Sequence, residues 1–298
     1  MDNFKRSVVT CAAAIAIAIG ILTVSGTAVA AAASKAIPKA SSVNPNVNST
    51  EPAGYTIAVS TTFFDNPTGE QTLGYVECPS GTVVFSGGVS VDGEIGQNIN
   101  SSWPLNSTEW EAWVNNTSGL DAGFYVYAVC ADEPSNYSIA ESSLFAAEPY
   151  DLASEPQACP KKTVVLGGGA YSDSSATDVN LNDSYPTTGA KKASEWEATM
   201  DNDNSTDSGL YVYAVCAKKP KKYSVRVGSA TDNPSDSTTF VKSTACAKGV
   251  IIGGGLISDS ILGVDINETA PDGTKWESFE NNASGDDNSI TPYGICAV

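Results

Sequence analysis

The sequence predicts an all-β domain of three internal repeats arranged about a pseudo-threefold axis. The first observation behind this is a refrain: YVYAVCA at Tyr125–Ala131 returns letter for letter at Tyr211–Ala217, and a diverged copy, PYGICAV, stands at Pro292–Val298. The second is that several other motifs recur in the same order before each refrain, which marks internal repeats. The third is the patterning itself. Short runs rich in Val, Ile, Tyr and Phe alternate with polar residues and stop at Gly, Pro, Asn and Asp, with no helical apolar stripe after the N-terminal segment.

In chain order, residues 1–30 read as a secretory leader: Lys5 and Arg6, an apolar run from Val8 to Val24, then Ala28-Val29-Ala30 as a cleavage site. The apolar run is short for a membrane span, and a polar segment follows it. Residues 31–54 form a small, polar, proline-punctuated linker. The repeats then occupy 55–136, 137–222 and 223–298. Each opens on a Tyr phrase (YTIAV, YSIAE, YSVRV), reaches a cysteine (Cys78, Cys159, Cys246) and enters a β-branched run ending in glycines. Next come NINSSWP, NLNDSYP and DINETAP, then WEAWVNN, WEATMDN and WESFENN, then the refrain with its cysteine at 130, 216 or 296. Each unit therefore carries about four strands, with a fifth possible in the Tyr phrase.

Three architectures accommodate such a chain: a β-prism of three sheets, a β-trefoil, or three small sandwiches in tandem. Trefoil units are shorter than these, and no linkers separate the units, so the prism is preferred. An immunoglobulin-like unit is disfavoured because the Trp falls too far beyond the first Cys and the Tyr stands three residues before the second.

Removing the leader leaves six of seven cysteines, an even number in an exported chain, and no C-x-x-C pair that would suggest zinc. Repetition favours one pairing rule used three times: Cys78–Cys130, Cys159–Cys216 and Cys246–Cys296. The competing rule joins each second cysteine to the next unit's first and needs Cys78 to meet Cys296.

The motifs C-P-x-G-x-V-V-x-x-G-G, N-x-S-x-P, W-x-x-x-x-N-N and V-Y-A-V-C-A together resemble a repeat of secreted bacterial proteins that have no assigned activity. That resemblance spans Tyr55 to Val298 and implies export without implying chemistry. A looser likeness, of architecture alone, is to the vitelline membrane outer layer protein and the β-prism lectins; it transfers no residue.

Composition limits the function. Without Asp2, Lys5 and Arg6, the mature chain has 14 basic and 33 acidic residues, a charge of −19. Such a field disfavours nucleic acid and anionic membranes. There is no histidine, which excludes His-based triads, general bases and metal ligands. No cofactor and no resident metal is expected. DNDNSTD at 201–207 has Ca-loop spacing but lacks the turn Gly and the closing Glu.

Candidate binding residues are those that recur near turns or break the repeat. Asp92, Asp173 and Asp259 follow the glycine runs; Asn100, Asn182 and Asn267 precede the Pro turns; Glu111, Glu197 and Glu277 follow the repeated Trp and point outward by alternation. Trp103 and Trp113 occur in the first unit only and are candidates for an exposed aromatic platform, whereas Trp110, Trp196 and Trp276 are core. A Cys159–Cys216 bond would gather Lys161, Lys162, Lys218, Lys219, Lys221 and Lys222, either protecting a strand edge or docking an anionic polymer. N-x-S/T sequons at Asn106, Asn116, Asn136, Asn204 and Asn282 mark glycosylation only where the host has the pathway.

The expectation is thus a secreted, non-enzymatic protein binding carbohydrate or a cell-surface polymer through polar loops. The alternatives are a structural envelope or matrix component and, more weakly, a carboxylate-based glycan hydrolase.

Overall fold

The computed structural model describes residues 50–92, 95–187, 193–259 and 261–298; the leader and most of the linker lie outside them. Among the described residues there is no helix, and 21 strands form three seven-stranded sheets. Repeat 1 contributes β1 (Thr56–Val59), β2 (Phe64–Asn66), β3 (Gln71–Glu77), β4 (Val83–Val91), β5 (Gln97–Asn106), β6 (Glu109–Asn116) and β7 (Ala122–Ala131). Repeat 2 contributes β8 (Ser138–Glu141), β9 (Phe145–Ala147), β10 (Asp151–Ala158), β11 (Val164–Ser172), β12 (Val179–Thr187), β13 (Glu195–Asn202) and β14 (Ser208–Ala217). Repeat 3 adds β15 (Ser224–Val227), β16 (Thr231–Asn233), β17 (Ser237–Lys242), β18 (Val250–Ser258), β19 (Val264–Asp272), β20 (Lys275–Asn282) and β21 (Asn288–Ala297). The four expected strands are the last four of each set; the additional ones come from the Tyr phrase and the stretch after it.

No repeat keeps a sheet to itself. In repeat 1, β1, β2, β4 and β7 join β17, β19 and β20 of repeat 3, while β3, β5 and β6 join β8, β9, β11 and β14 of repeat 2. The third sheet combines β10, β12 and β13 with β15, β16, β18 and β21. Every sheet is thus shared by two repeats, and the ring closes where β4 meets β19. These are three sheets about a pseudo-threefold axis, a β-prism-like arrangement.

The seams explain the glycines. Each seam has a single bridge: Val89 to Thr269, Ala170 to Ser102, and Leu256 to Ser184. A Cβ on Gly88, Gly169 or Gly255 would lie within 1.9 Å of the carbonyl oxygen of Thr269, Ser102 or Ser184, so any side chain would wedge two repeats apart. One residue further in, Gly87, Gly168 and Gly254 lie against the faces of Trp110, Trp196 and Trp276.

Those three tryptophans fill the interior. Each indole Nε1–H donates to a hydroxyl of its own hairpin: Ser102 at 2.9 Å, Ser184 at 2.9 Å and Thr269 at 2.6 Å. This satisfies the one polar atom a buried Trp carries. The opening tyrosines have a related task. A bulge interrupts β4 between Val84 and Ser86, and β11 and β18 at the equivalent points. Tyr137 donates to Val84 O at 2.8 Å, Tyr223 to Val165 O at 2.7 Å, and Tyr55 to Ile251 O at 2.8 Å. Each Tyr thereby caps a carbonyl of the preceding repeat, around the closed ring.

The disulfides are Cys78–Cys130, Cys159–Cys216 and Cys246–Cys296, one within each repeat. Strands β4 and β6 run away from them and β5 and β7 run back, so the prism has a disulfide end and a loop end.

Candidate functional site

Among the described residues, the cavity on the axis leaves no room for a ligand. The cavity on the axis is lined by Ile99, Leu181, Ile266, the three tryptophans and their glycines, and its volume is about 10 Å³. That is space for one water at most.

At the loop end, the recurring asparagines hold neighbouring repeats together. Asn100, Asn182 and Asn267 are buried. Their amides donate to Val179 O at 2.8 Å, Val264 O at 2.6 Å and Gln97 O at 2.6 Å, each in the next repeat. They bond backbone, as Asn beside turns usually does, but across a repeat boundary and not within their own turn, and they are not displayed to a ligand. The aspartates Asp92, Asp173 and Asp259 are exposed. Each of their backbone N–H groups is bound within the fold, and Asp173 Oδ1 accepts the N–H of Gly209 at 2.6 Å. None of the three lines the axial cavity.

Closer to the axis at this end is a ring of six side chains, of which the sequence singled out only Asp201, in the calcium-like stretch: Asn98, Asn180 and Asp265, with Asn115, Asp201 and Asn281. Asn115 Nδ2 donates to Val179 O (3.0 Å) and Asn180 Oδ1 (2.9 Å). Asn281 Nδ2 donates in the same way to Gln97 O (3.1 Å) and Asn98 Oδ1 (2.7 Å). The third equivalent position is Asp201, opposite Asp265. Asp265 Oδ2 accepts from Asn98 at 2.9 Å and from Asn180 at 3.1 Å, and Asp201 Oδ2 accepts from Gly263 N at 2.6 Å. The remaining Oδ1 of each is buried without a partner among the described residues. Burial first, then the charge of Asp203, pushes Asp201 up to about 7; burial first, then Asp201, holds Asp265 well above the usual carboxylate range. Of the calcium-like DNDNSTD stretch, Asp201 belongs to this ring, while Asn204 closes the hairpin by accepting from Thr206 N at 3.1 Å.

The glutamates fall one to a sheet, but only Glu111 and Glu197 are partly exposed; Glu277 is buried and not displayed outward as alternation suggested. Glu197 accepts from Ser154 at 3.0 Å, Glu277 pairs with Lys242 at 3.2 Å, and burial followed by Glu109 raises Glu111. On three different sheets, they form no two-carboxylate pair with one another.

The face of the sheet shared by repeats 1 and 2 carries more aromatic side chains than the equivalent faces of the other two sheets. One row across it runs Tyr75, Glu111, Trp103, Gly169, Tyr213, Glu141. The next runs Leu73, Trp113, Ser101, Tyr171, Tyr211. Six aromatic side chains therefore share one surface. Tyr75 is half exposed, Trp113, Tyr171, Tyr211 and Tyr213 are partly exposed, and Trp103 is buried, its ring 4.9 Å from that of Tyr171. Trp103 thus supports the surface from beneath and is not itself the exposed platform expected of it. Tyr171 continues to Tyr211 at 6.2 Å, and Tyr213 donates to Glu141 at 3.3 Å. Of aromatic side chains, the equivalent rows between repeats 2 and 3 hold only Tyr185 and Tyr293, and those between repeats 3 and 1 hold Phe240, Phe279, Tyr125 and the buried Tyr127. Tyr75, Tyr171, Tyr211 and Tyr213 were missed in the sequence because only the seam sets two repeats side by side.

The lysines lie at the disulfide end. Lys161, Lys162, Lys218, Lys219, Lys221 and Lys222 are all exposed and occupy turns, not an edge strand, so edge protection does not account for them. Val164 of β11 pairs with Ala217 of β14, which brings the two groups together. Lys219 also sits 5.6 Å from the centre of the Tyr223 ring.

The sequence matches no protein-family model and no curated protein.

Proposed function

We propose that this is a secreted, non-enzymatic glycan-binding protein whose contact surface is the outer face shared by repeats 1 and 2. The observation that carries the reading is the set of Tyr75, Trp113, Tyr171, Tyr211 and Tyr213 on one rigid sheet, backed by Trp103 and flanked by Glu111 and Glu141. Aromatic faces stack on the apolar faces of sugar rings at low entropic cost, while carboxylates and phenols take the hydroxyls. Strands hold such a strip more firmly than loops would. Glu111 and Glu141 stand four strand spacings apart, about 19 Å, too far to act as a glycosidase pair and suited to flanking an extended chain.

A structural envelope or matrix role is the second reading. It is favoured by the three disulfides, the dry interior and a ring in which every repeat supports the next.

Binding to an array of immobilised polysaccharides separates the two. Glycan binding predicts signal that falls by about tenfold or more in Trp113→Ala and Tyr171→Ala, with thermal unfolding little changed. No signal for the wild-type protein on any polysaccharide would leave the structural role.

A further inference from the structure

We infer that the glycan is anionic, and that the lysine cluster at the disulfide end is built to take its acidic groups. This rests on the glycan-binding reading and specifies its ligand.

Backbone geometry supplies the first argument. The position before each Tyr phrase is left-handed in all three repeats, occupied by Gly54 (φ 68°), Asn136 (φ 59°) and Lys222 (φ 55°). The third residue after each first cysteine is left-handed as well: Gly81 (φ 92°), Lys162 (φ 73°) and Gly249 (φ 82°). Glycine and asparagine tolerate this conformation; lysine does so only under strain. At two independent sites, then, a strained lysine stands where the other repeats hold a residue that fits. Both sites fall within one cluster. Strain kept at a surface is the mark of a side chain retained for what it contacts.

Continuity is the second argument. Strand β14, which presents Tyr211 and Tyr213, ends at Ala217 and passes directly into Lys218. Strand β11, which presents Tyr171, starts at Val164, two residues after Lys162. The tyrosines and the lysines thus lie along and just beyond the ends of the same two strands, with buried residues 214–217 between Tyr213 and Lys218. That separation is about 17 Å, short enough for one polymer chain to lie along the tyrosines and end among the lysines. Charge is the third. Lys161, Lys162, Lys218, Lys221 and Lys222 form no ion pair among the described residues, although the mature chain is strongly acidic. A flexible linear polyanion can reach this one cluster, whereas a duplex or a flat anionic membrane would also meet the acidic surface around it.

Dextran and dextran sulfate test this, since they share a backbone and differ in charge. The wild-type protein is expected to prefer dextran sulfate, with affinity falling steeply as salt rises. In the double variant Lys162→Gly/Lys222→Asn, affinity for dextran sulfate should drop about tenfold and the salt slope should shrink by about two. Its melting temperature should be unchanged or higher, because both replacements suit the left-handed backbone. Lys275→Gln, outside the cluster, should retain wild-type affinity. Equal binding of dextran and dextran sulfate, or an unaltered salt slope in the double variant, would overturn the inference while leaving neutral glycan binding intact. A lower melting temperature would also overturn it, by making the two lysines structural. Failure of every polysaccharide to bind would instead remove the glycan reading beneath it.

Discussion

The two ends of the prism are closed by different means. At the disulfide end each repeat is fastened to itself covalently, Cys78 to Cys130, Cys159 to Cys216 and Cys246 to Cys296, and touches its neighbour through the Tyr137, Tyr223 and Tyr55 hydroxyls. At the loop end the repeats are fastened to one another, by amides of Asn100, Asn115, Asn182, Asn267 and Asn281 donating across the boundary. A covalent bond does not depend on the charge of the side chains near it. Hydrogen bonds between buried amides do, because one atom exchanged turns a donor into an acceptor. The disulfide end could therefore accumulate lysines without losing its closure. The loop end could not change Asn to Asp without consequence, and at Asp201 and Asp265 it shows one.

The largest expected effect tests the covalent end. Replacing Cys159 and Cys216 together by serine should cost about 4 kcal/mol, the chain-entropy value for a loop of this size, read from urea unfolding under non-reducing conditions. A loss below about 1 kcal/mol would mean that hydrogen bonding and packing close this end as they do the other. Next in size is Asn115→Ala, which strips Val179 O and Asn180 Oδ1 of a buried donor; about 2–3 kcal/mol should be lost, again by urea unfolding. A neutral result would show that Asn100, which shares Val179 O, is sufficient there.

A pH titration sharpens the contrast further. Burial holds Asp183 and Asp201 up near 7 and Glu280 near 9, and holds Asp265 well above the usual range. All lie above the value near 4 expected in the unfolded chain, so the folded state binds more protons. Stability from these groups is fully present below about pH 4 and is lost as pH rises through 7 towards 9. Thermal unfolding should accordingly show a higher melting temperature at pH 5 than at pH 8. The smallest effect isolates the ring: Asp201→Asn restores the donor that Asn115 and Asn281 supply. It should raise stability at pH 8 by about 1–2 kcal/mol and flatten that part of the pH profile. If Asp201→Asn is destabilising at pH 8, the carboxylate serves some purpose that the amide does not.

Much of the fold was legible in the residues because repetition made each signal appear three times. The Cys pairing, the core tryptophans and the four principal strands follow from columns that recur. The candidate site was legible only in part. Trp113 and Glu111 could be placed outward by alternation along β6, whereas Trp103 obeyed a seam that alternation does not describe. Asn100 and its equivalents resembled turn residues, and they became buried because the neighbouring repeat's loop covers them.

By itself, then, the sequence determined the all-β class, the number of repeats and which face of each strand is apolar, and it favoured the disulfide pairing that the structure shows. These depend on local period and on a rule that repeats along one chain. Only the tertiary structure decided that each repeat divides itself between two sheets. That division sets Tyr75 and Trp113 of one repeat beside Tyr171 and Tyr211 of the next and brings Asp201 opposite Asp265. Both are contacts between repeats, made across seams so close that only glycine fits, and such contacts have no period in the sequence to announce them.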